Sequence, residues 1–276
     1  MITPSSTLSR SARIMGIVNV TPDSFSDGGT YLNPSQALSH IDKLLEDGAH
    51  IIDLGAESTR PGASPLPEHE EWARLSPILK ALGSRSLYGT RLSLDTYKPG
   101  LISKAWDWGV SMINNTKGLC SDQILTKLAE PSRDMHYLAM HMWQEPSSMQ
   151  EKALHRDEAL EQVHSFFHHS FNKLLALGFT KDRVFLDPGI GFGKTDSANF
   201  ALMGAIPRWS QDFSLAVGIS RKSFLNRLFS IPSPKERDAP SKMLEFGLIL
   251  AGASIVRTHD VKKLNEIMKL TGPLNS

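Results

Sequence analysis

The chain has 276 residues, with 30 Lys and Arg against 29 Asp and Glu, a formal net charge of +1 and a single cysteine, Cys120. A length of about 250 residues suits one α/β barrel domain, while mixed and balanced charge excludes a nucleic-acid or membrane-surface footprint and a lone cysteine excludes an intrachain disulfide framework. The Ser/Thr-rich residues 1–12 lack the apolar core of a signal peptide and no apolar run is long enough to span a bilayer, so a soluble cytoplasmic protein with no nucleic-acid and no membrane partner is expected.

In chain order, residues 13–20 form an almost continuous apolar run with Asn19 near its exit, as in a strand buried on both faces. The loop 21–29, Thr-Pro-Asp-Ser-Phe-Ser-Asp-Gly-Gly, is too rich in turn formers for regular structure, yet it carries Phe25 between Asp23 and Asp27. A lid over a ligand accounts for that exposed ring better than a plain linker does. Leu38, Ile41, Leu44 and Leu45 predict a helix that stops at Gly48. A second buried strand, 49–56, leads into Glu-Ser-Thr-Arg-Pro-Gly-Ala at 57–63, and a helix over 68–82 leads to a strand at 91–96 with Asp95 at its exit. The cycle repeats with a strand at 112–116 ending in Asn114 and Asn115, a helix at 122–130, and a strand at 137–142 carrying Met140 and His141. The long helix 157–177 presents His164, His168 and His169, read as a solvated or packed face rather than a metal site.

Residues 184–195 hold the most distinctive run, Val-Phe-Leu-Asp-Pro-Gly-Ile-Gly-Phe-Gly-Lys-Thr. A phosphate cradle is the obvious reading of its glycines, but Pro188 stands where a Walker A loop needs glycine and Lys194 where a dinucleotide fingerprint needs one. It reads instead as a strand that delivers Asp187 to a turn. A strand at 215–220 then meets Arg221-Lys-Ser223, a proline-interrupted segment at 231–240 gives way to a helix through Leu250, and a strand at 254–259 is followed by a helix at 261–270. Eight such alternations without a compositional break predict a single (β/α)8 TIM barrel domain over 13–276, preceded by a polar tail, 1–12.

In that fold the strand exits share one face. They carry Asn19, Asp53, Asp95, Asn114, Met140, Asp187, Lys222, Arg257 and His259, a ring of polar groups that costs stability unless a ligand satisfies it. Asn19, Thr59, Arg60, Arg257 and His259 suit an anion, with Asn19, Arg257 and His259 sharing the corner between the first and last strands. Asp95, Asn114 and Asp187 suit the amide and guanidine-like edge of a heterocycle, with Lys222 in reach of a ring acceptor. The inference is a flat nitrogen heterocycle joined to a phosphate group.

These segments resemble the dihydropteroate synthase family over nearly the whole chain. The resemblance rests on residues 16–29, 57–63, 187–194, Ser-Arg-Lys-Ser at 220–223 and Arg-Thr-His-Asp-Val at 257–261, in the family's order. It implies an enzyme, a transferase joining p-aminobenzoate to 6-hydroxymethyl-7,8-dihydropterin pyrophosphate with release of pyrophosphate, assisted by Mg2+, and a homodimer. It implies pterin contacts from Asp95, Asn114, Met140, Asp187 and Lys222, and pyrophosphate contacts from Asn19, Arg257 and His259, with Asn19 also meeting the metal. Phe25, Thr59, Arg60, Pro61, Phe192 and Ser223 are implied around p-aminobenzoate, and Asp187, Lys222, Asp95, Asp27, Arg257 and His259 as the catalytic set. Two positions depart from the family's pattern: Asn114-Asn115 replaces the usual Asn-Asp, removing a negative charge expected near the pterin pocket, and Gly55-Ala56 replaces paired glycines, adding a methyl group expected at the barrel rim. A non-catalytic pterin-binding paralogue remains an alternative, as does the folate-binding barrel of a corrinoid methyltransferase, which has no use for the pyrophosphate corner.

Overall fold

The β-branched and leucine-rich runs of the sequence form eight short parallel strands: β1 Arg13–Asn19, β2 Ile51–Gly55, β3 Arg91–Asp95, β4 Met112–Asn115, β5 His136–Met140, β6 Val184–Asp187, β7 Ala216–Gly218 and β8 Ile255–Thr258. The structure is a computed structural model and describes residues 12–21, 34–58, 63–83, 87, 89–144 and 152–270. The strands lie side by side in the order β6-β5-β4-β3-β2-β1-β8-β7. A single parallel bridge between Leu186 and Leu215 joins the two ends of this sheet, supported by the Leu186 amide donating to the Ser214 carbonyl at 3.0 Å. The result is the expected (β/α)8 barrel.

Among the described residues the helices are α1 Pro34–Glu46, α2 Glu68–Gly83, α3 Pro99–Lys104, α4 Asp122–Ala129, α5 Arg156–Ala176, α6 Asp196–Trp209, α7 Ser223–Phe229, α8 Asp238–Leu250 and α9 Val261–Leu270. The short α7 was not expected; its seven residues are too few to print a helical period, and it stops at Ser230 in the left-handed conformation, φ 56°. Strand β7 is also shorter than its apolar run. The rings of His164 and His168 on α5 meet edge to face at 4.5 Å, and His168 packs on Phe213 at 5.1 Å, so this histidine group is a packed surface. No helix among the described residues is long and apolar enough to cross a membrane.

Strand side chains alternate between the barrel lumen and the helices. Met15, Ile51, Met112, Leu138, Phe185, Ala216 and Ile255 fill the lumen, each large side chain contributing about 1.5–3 kcal/mol by leaving water. The intervening residues build a larger outer core against the helices, including Ile14, Ile52, Leu54, Ile113, Tyr137, Leu186 and Val256. Two residues beyond the apolar lumen layer the same period delivers Asp53, Asn114, Asp187 and Arg257, and the register sets Asp95 beside Gly55 and Asn114, and Met140 beside Asp187. Gly55 packs closely on its neighbour: a Cβ there would lie 3.1 Å from the Cβ of Asp95, which would have to give way slightly.

Candidate active site

Asp53 is the hub of the barrel mouth. Its side chain is wholly buried and accepts from Ser93 Oγ at 2.7 Å, Asn114 Nδ2 at 3.0 Å and Arg257 Nε at 2.6 Å. Arg257 Nη2 donates in turn to Asp95 at 2.8 Å. Desolvating these charges is expensive, and the dense set of charge-assisted bonds is what offsets it. Burial pushes the Asp95 carboxyl up to about 7, against the pull of Arg257 and with the repulsion of Asp53. Two nitrogens of Arg257 are thus held by carboxylates, which draws its guanidinium from β8 toward β2 and β3.

Across the mouth, β6 delivers Asp187, which accepts from the Gly189 amide at 2.7 Å. Burial raises its pKa, while Lys222 opposes the shift. The Lys222 ammonium donates to the Ile190 carbonyl and sits 4.4 Å from the centroid of the Phe192 ring. Burial lowers its pKa to about 8, with Asp187 pulling the other way.

The turn after Asp187 is clamped from below. Lys194 is 2 % exposed and donates to the carbonyls of His141 at 3.2 Å, Gly189 at 2.9 Å and Phe192 at 2.9 Å, so all three ammonium protons have acceptors. Burial and the neighbouring Lys222 lower its pKa to about 7. The Gly191 amide donates to Asn199 Oδ1 of α6 at 2.7 Å. Gly189 and Gly193 have φ of 63° and 67°, and a side chain at either would run into the carbonyl of His141 or Trp143. The glycines thus serve close backbone packing at the β5 exit.

Met140 is buried in the lumen cluster, with Met142 and Phe192 packed against that cluster, giving the mouth an apolar wall. Asn19, half buried, ends β1 opposite Gly55. His259 is tied to β7: its Nδ1 lies 2.9 Å from Ser220 Oγ, to which its amide donates at 3.2 Å. Ser223 is exposed in the first turn of α7, next to Lys222. Phe25, Asp27, Thr59, Arg60 and Pro61 lie outside the described residues. The base of their second loop is described: Glu57 accepts from Lys98 Nζ, from Tyr97 OH at 2.9 Å and from the Leu66 amide at 3.0 Å.

Both departures from the family pattern turn away from the mouth. Asn115 donates to Tyr137 OH at 2.9 Å and accepts from the Lys117 amide at 2.9 Å, on the helix side of β4. The expectation that it removes charge near the pterin pocket is corrected by strand alternation. Ala56 is buried in the outer core, so its methyl group packs beneath helices rather than standing at the rim. Sequence reasoning placed Asp53 in the ring without a role, met Lys194 and Ser220 only as members of motifs, and passed over Ser93 and Asn199. A two-residue step back from Asp95 would have found Ser93; nothing local marks Asn199.

Buried Asp187 and partly exposed Asp95 stand at one barrel mouth with Asn114, Lys222 and Arg257, a set that can hold a planar ligand rich in N–H groups. A family model described as "Pterin binding enzyme" matches residues 15–259. Dihydropteroate synthase of Escherichia coli strain K12 is 36% identical over 258 residues, 93% of this chain and 89% of the relative. The solved dihydropteroate synthase of Xanthomonas albilineans with 4-aminobenzoic acid superposes with a TM-score of 0.86 at 34% identity, covering 96% of this chain and 93% of that one. That of Anaplasma phagocytophilum with bound 6-hydroxymethylpterin-monophosphate gives 0.84 at 30% identity, covering 96% and 99%. With the match running from the lumen methionine of β1 to the histidine beyond β8, the chain belongs to the dihydropteroate synthase family of pterin-binding enzymes.

Proposed function

We propose that this chain is a folate-pathway transferase that condenses p-aminobenzoate with 6-hydroxymethyl-7,8-dihydropterin pyrophosphate, giving 7,8-dihydropteroate and pyrophosphate, within one catalytic domain over 13–276. The observation that carries the reading is the convergence of Asp95, Asn114, Asp187, Lys222 and Arg257 at one mouth from five different strand ends. Asp187, Asp95 and the side-chain oxygen of Asn114 accept from the N–H groups of the pterin, Lys222 addresses its acceptor, and Met140 lies against its face. Asn19, Arg257 and His259 take the pyrophosphate. Phe192 and Ser223, with Phe25, Thr59, Arg60 and Pro61 of the two loops, enclose p-aminobenzoate.

An aryl amine is neutral and nucleophilic at pH 7, so no strong base is required. C–O cleavage runs ahead of attack: the electron-rich pterin releases pyrophosphate, the cation that develops is stabilised by Asp187 and Asp95, and the amine nitrogen closes on the methylene carbon and sheds its proton. Electrostatics and positioning supply most of the acceleration. Asp27 and the loops keep water from capturing the cation.

Mg2+ takes oxygen ligands, commonly one or two from protein with phosphate and water completing the shell. Asn19 offers one side-chain oxygen at the phosphate corner, which fits that mode, and the ion supplies charge neutralisation for the leaving pyrophosphate. The enzyme acts as a cytoplasmic homodimer. Exposed Phe200, Leu228, Phe229, Met243 and Leu250 on α6, α7 and α8 give a second copy an apolar face to cover.

The test is pyrophosphate release by purified protein given both substrates and Mg2+. Release dependent on both substrates is expected; tight pterin binding without release would instead favour a non-catalytic pterin-binding role.

A further inference from the structure

We infer that Asp53 is a positioning residue for this reaction, a single buried carboxylate that sets Asn114 on the pterin side and Arg257 on the pyrophosphate side in one fixed relation. The inference rests on the reading of substrates above, and the residue lies outside every role that reading assigns. Its two oxygens divide the work: Oδ1 takes Ser93 Oγ at 2.7 Å, and Oδ2 takes both Asn114 Nδ2 at 3.0 Å and Arg257 Nε at 2.6 Å. Ser93 thereby locks the carboxylate's rotation, and the other oxygen ties β4 to β8 across the lumen. With no exposed surface of its own, Asp53 reaches a ligand only through these partners.

The arrangement does two things for the site. It pins the amide of Asn114, leaving that side chain's oxygen aimed by default rather than by the ligand, so less ordering is left for the moment of binding. It also neutralises Arg257 before a phosphate arrives and leaves Nη1 as the nitrogen without a carboxylate partner. The groups acting on Asp95 are Arg257, Asp53, Glu71 and Glu57; of these the Asp53 charge can be removed while the side chain keeps its shape.

Asp53→Asn is the decisive variant. Asparagine can keep its oxygen toward Arg257 and Asn114 and give its amide to Ser93 Oγ, which then accepts. Steady-state kinetics should show a loss of roughly tenfold or more in kcat/KM for the pterin substrate, with KM for p-aminobenzoate little changed. The acid limb of the pterin-binding profile should move to lower pH, because the repulsion that favours the protonated form of Asp95 is gone. A merely structural role would lower active-enzyme concentration and leave both KM values and the limb in place, and that result overturns the proposal. Should Asp53→Asn fail to fold, Ser93→Ala decides: it frees the carboxylate's rotation without altering charge, should raise KM for the pterin substrate selectively, and overturns the proposal if kinetics match the unmodified enzyme. If the unmodified protein binds pterin but releases no pyrophosphate, the transferase reading fails by itself, and the same two variants, compared by pterin titration and its pH profile, still judge Asp53.

Discussion

Asn114 and Asn115 are consecutive in β4 and face opposite ways: the first donates inward to Asp53 at 3.0 Å, the second outward to Tyr137 OH at 2.9 Å. Asn115→Asp, which restores the family's usual pair, should therefore leave pterin affinity essentially unchanged, since Tyr137 OH can turn from the Gly118 carbonyl to donate to the new carboxylate. Tyr137→Phe should cost about 1–2 kcal/mol of stability, because it leaves a buried amide and a carbonyl without their partner. Pterin titration and denaturant unfolding of both variants check the pair.

Pterin affinity should follow a bell in pH. Asp95, pushed up to about 7 by burial, is ionised and ready to accept from the ring above that value, so affinity falls as pH drops through it. Lys222, held down to about 8 by burial, loses a proton and its positive charge as pH rises further. The optimum lies between the two, and calorimetric titration from about pH 5.5 to about 9.5 exposes both limbs. For folding the sign differs: a carboxyl whose proton affinity is higher folded than unfolded contributes stability that is lost as pH rises through about 7.

Removing the clamp beneath the Asp187 turn should act on the second substrate first. Lys194→Met leaves the carbonyls of His141, Gly189 and Phe192 without their donor, which should cost about 3 kcal/mol in unfolding free energy. Because Phe192 is then held less firmly, KM for p-aminobenzoate should rise more than KM for the pterin substrate. Equal changes in both would show that the clamp serves the fold alone.

Lys222→Ala and Asp187→Asn each remove a charge from the pterin side of the mouth. Each should lower turnover by about 100-fold, equivalent to roughly 3 kcal/mol of transition-state stabilisation. Single-turnover measurement with saturating substrates checks this, and near-normal rates from either variant would take that residue out of the site.

The barrel was legible because its signal is repeated: each buried run ends in a polar residue, and eight repetitions leave one architecture. The polar ring was legible for the same reason, since Asp95, Asn114 and Asp187 each stand at a strand exit. The partners of those residues were not. Arg257 bonds Asp53 and Asp95 across 204 and 162 residues of sequence, and no local pattern states which carboxylate a distant guanidinium will choose. Lys194 was visible only as the end of a failed phosphate motif, because a lysine that donates to three backbone carbonyls has no side-chain partner to betray it. The strand period, applied strictly, would have turned Asn115 and Ala56 away from the mouth.

Among the described residues a single bridge, Leu186 to Leu215, with the Leu186 amide donating to the Ser214 carbonyl, fastens β6 to β7. The cylinder is thus a hoop with one thin weld, and Asp187 and Lys222 stand at the exits of the strands on either side of it. A flat ring held by both, as proposed above, would span that gap like a clasp. If the proposed contacts hold, filling the site and tightening the hoop become the same event, and substrate should protect the β6 and β7 amides from hydrogen exchange.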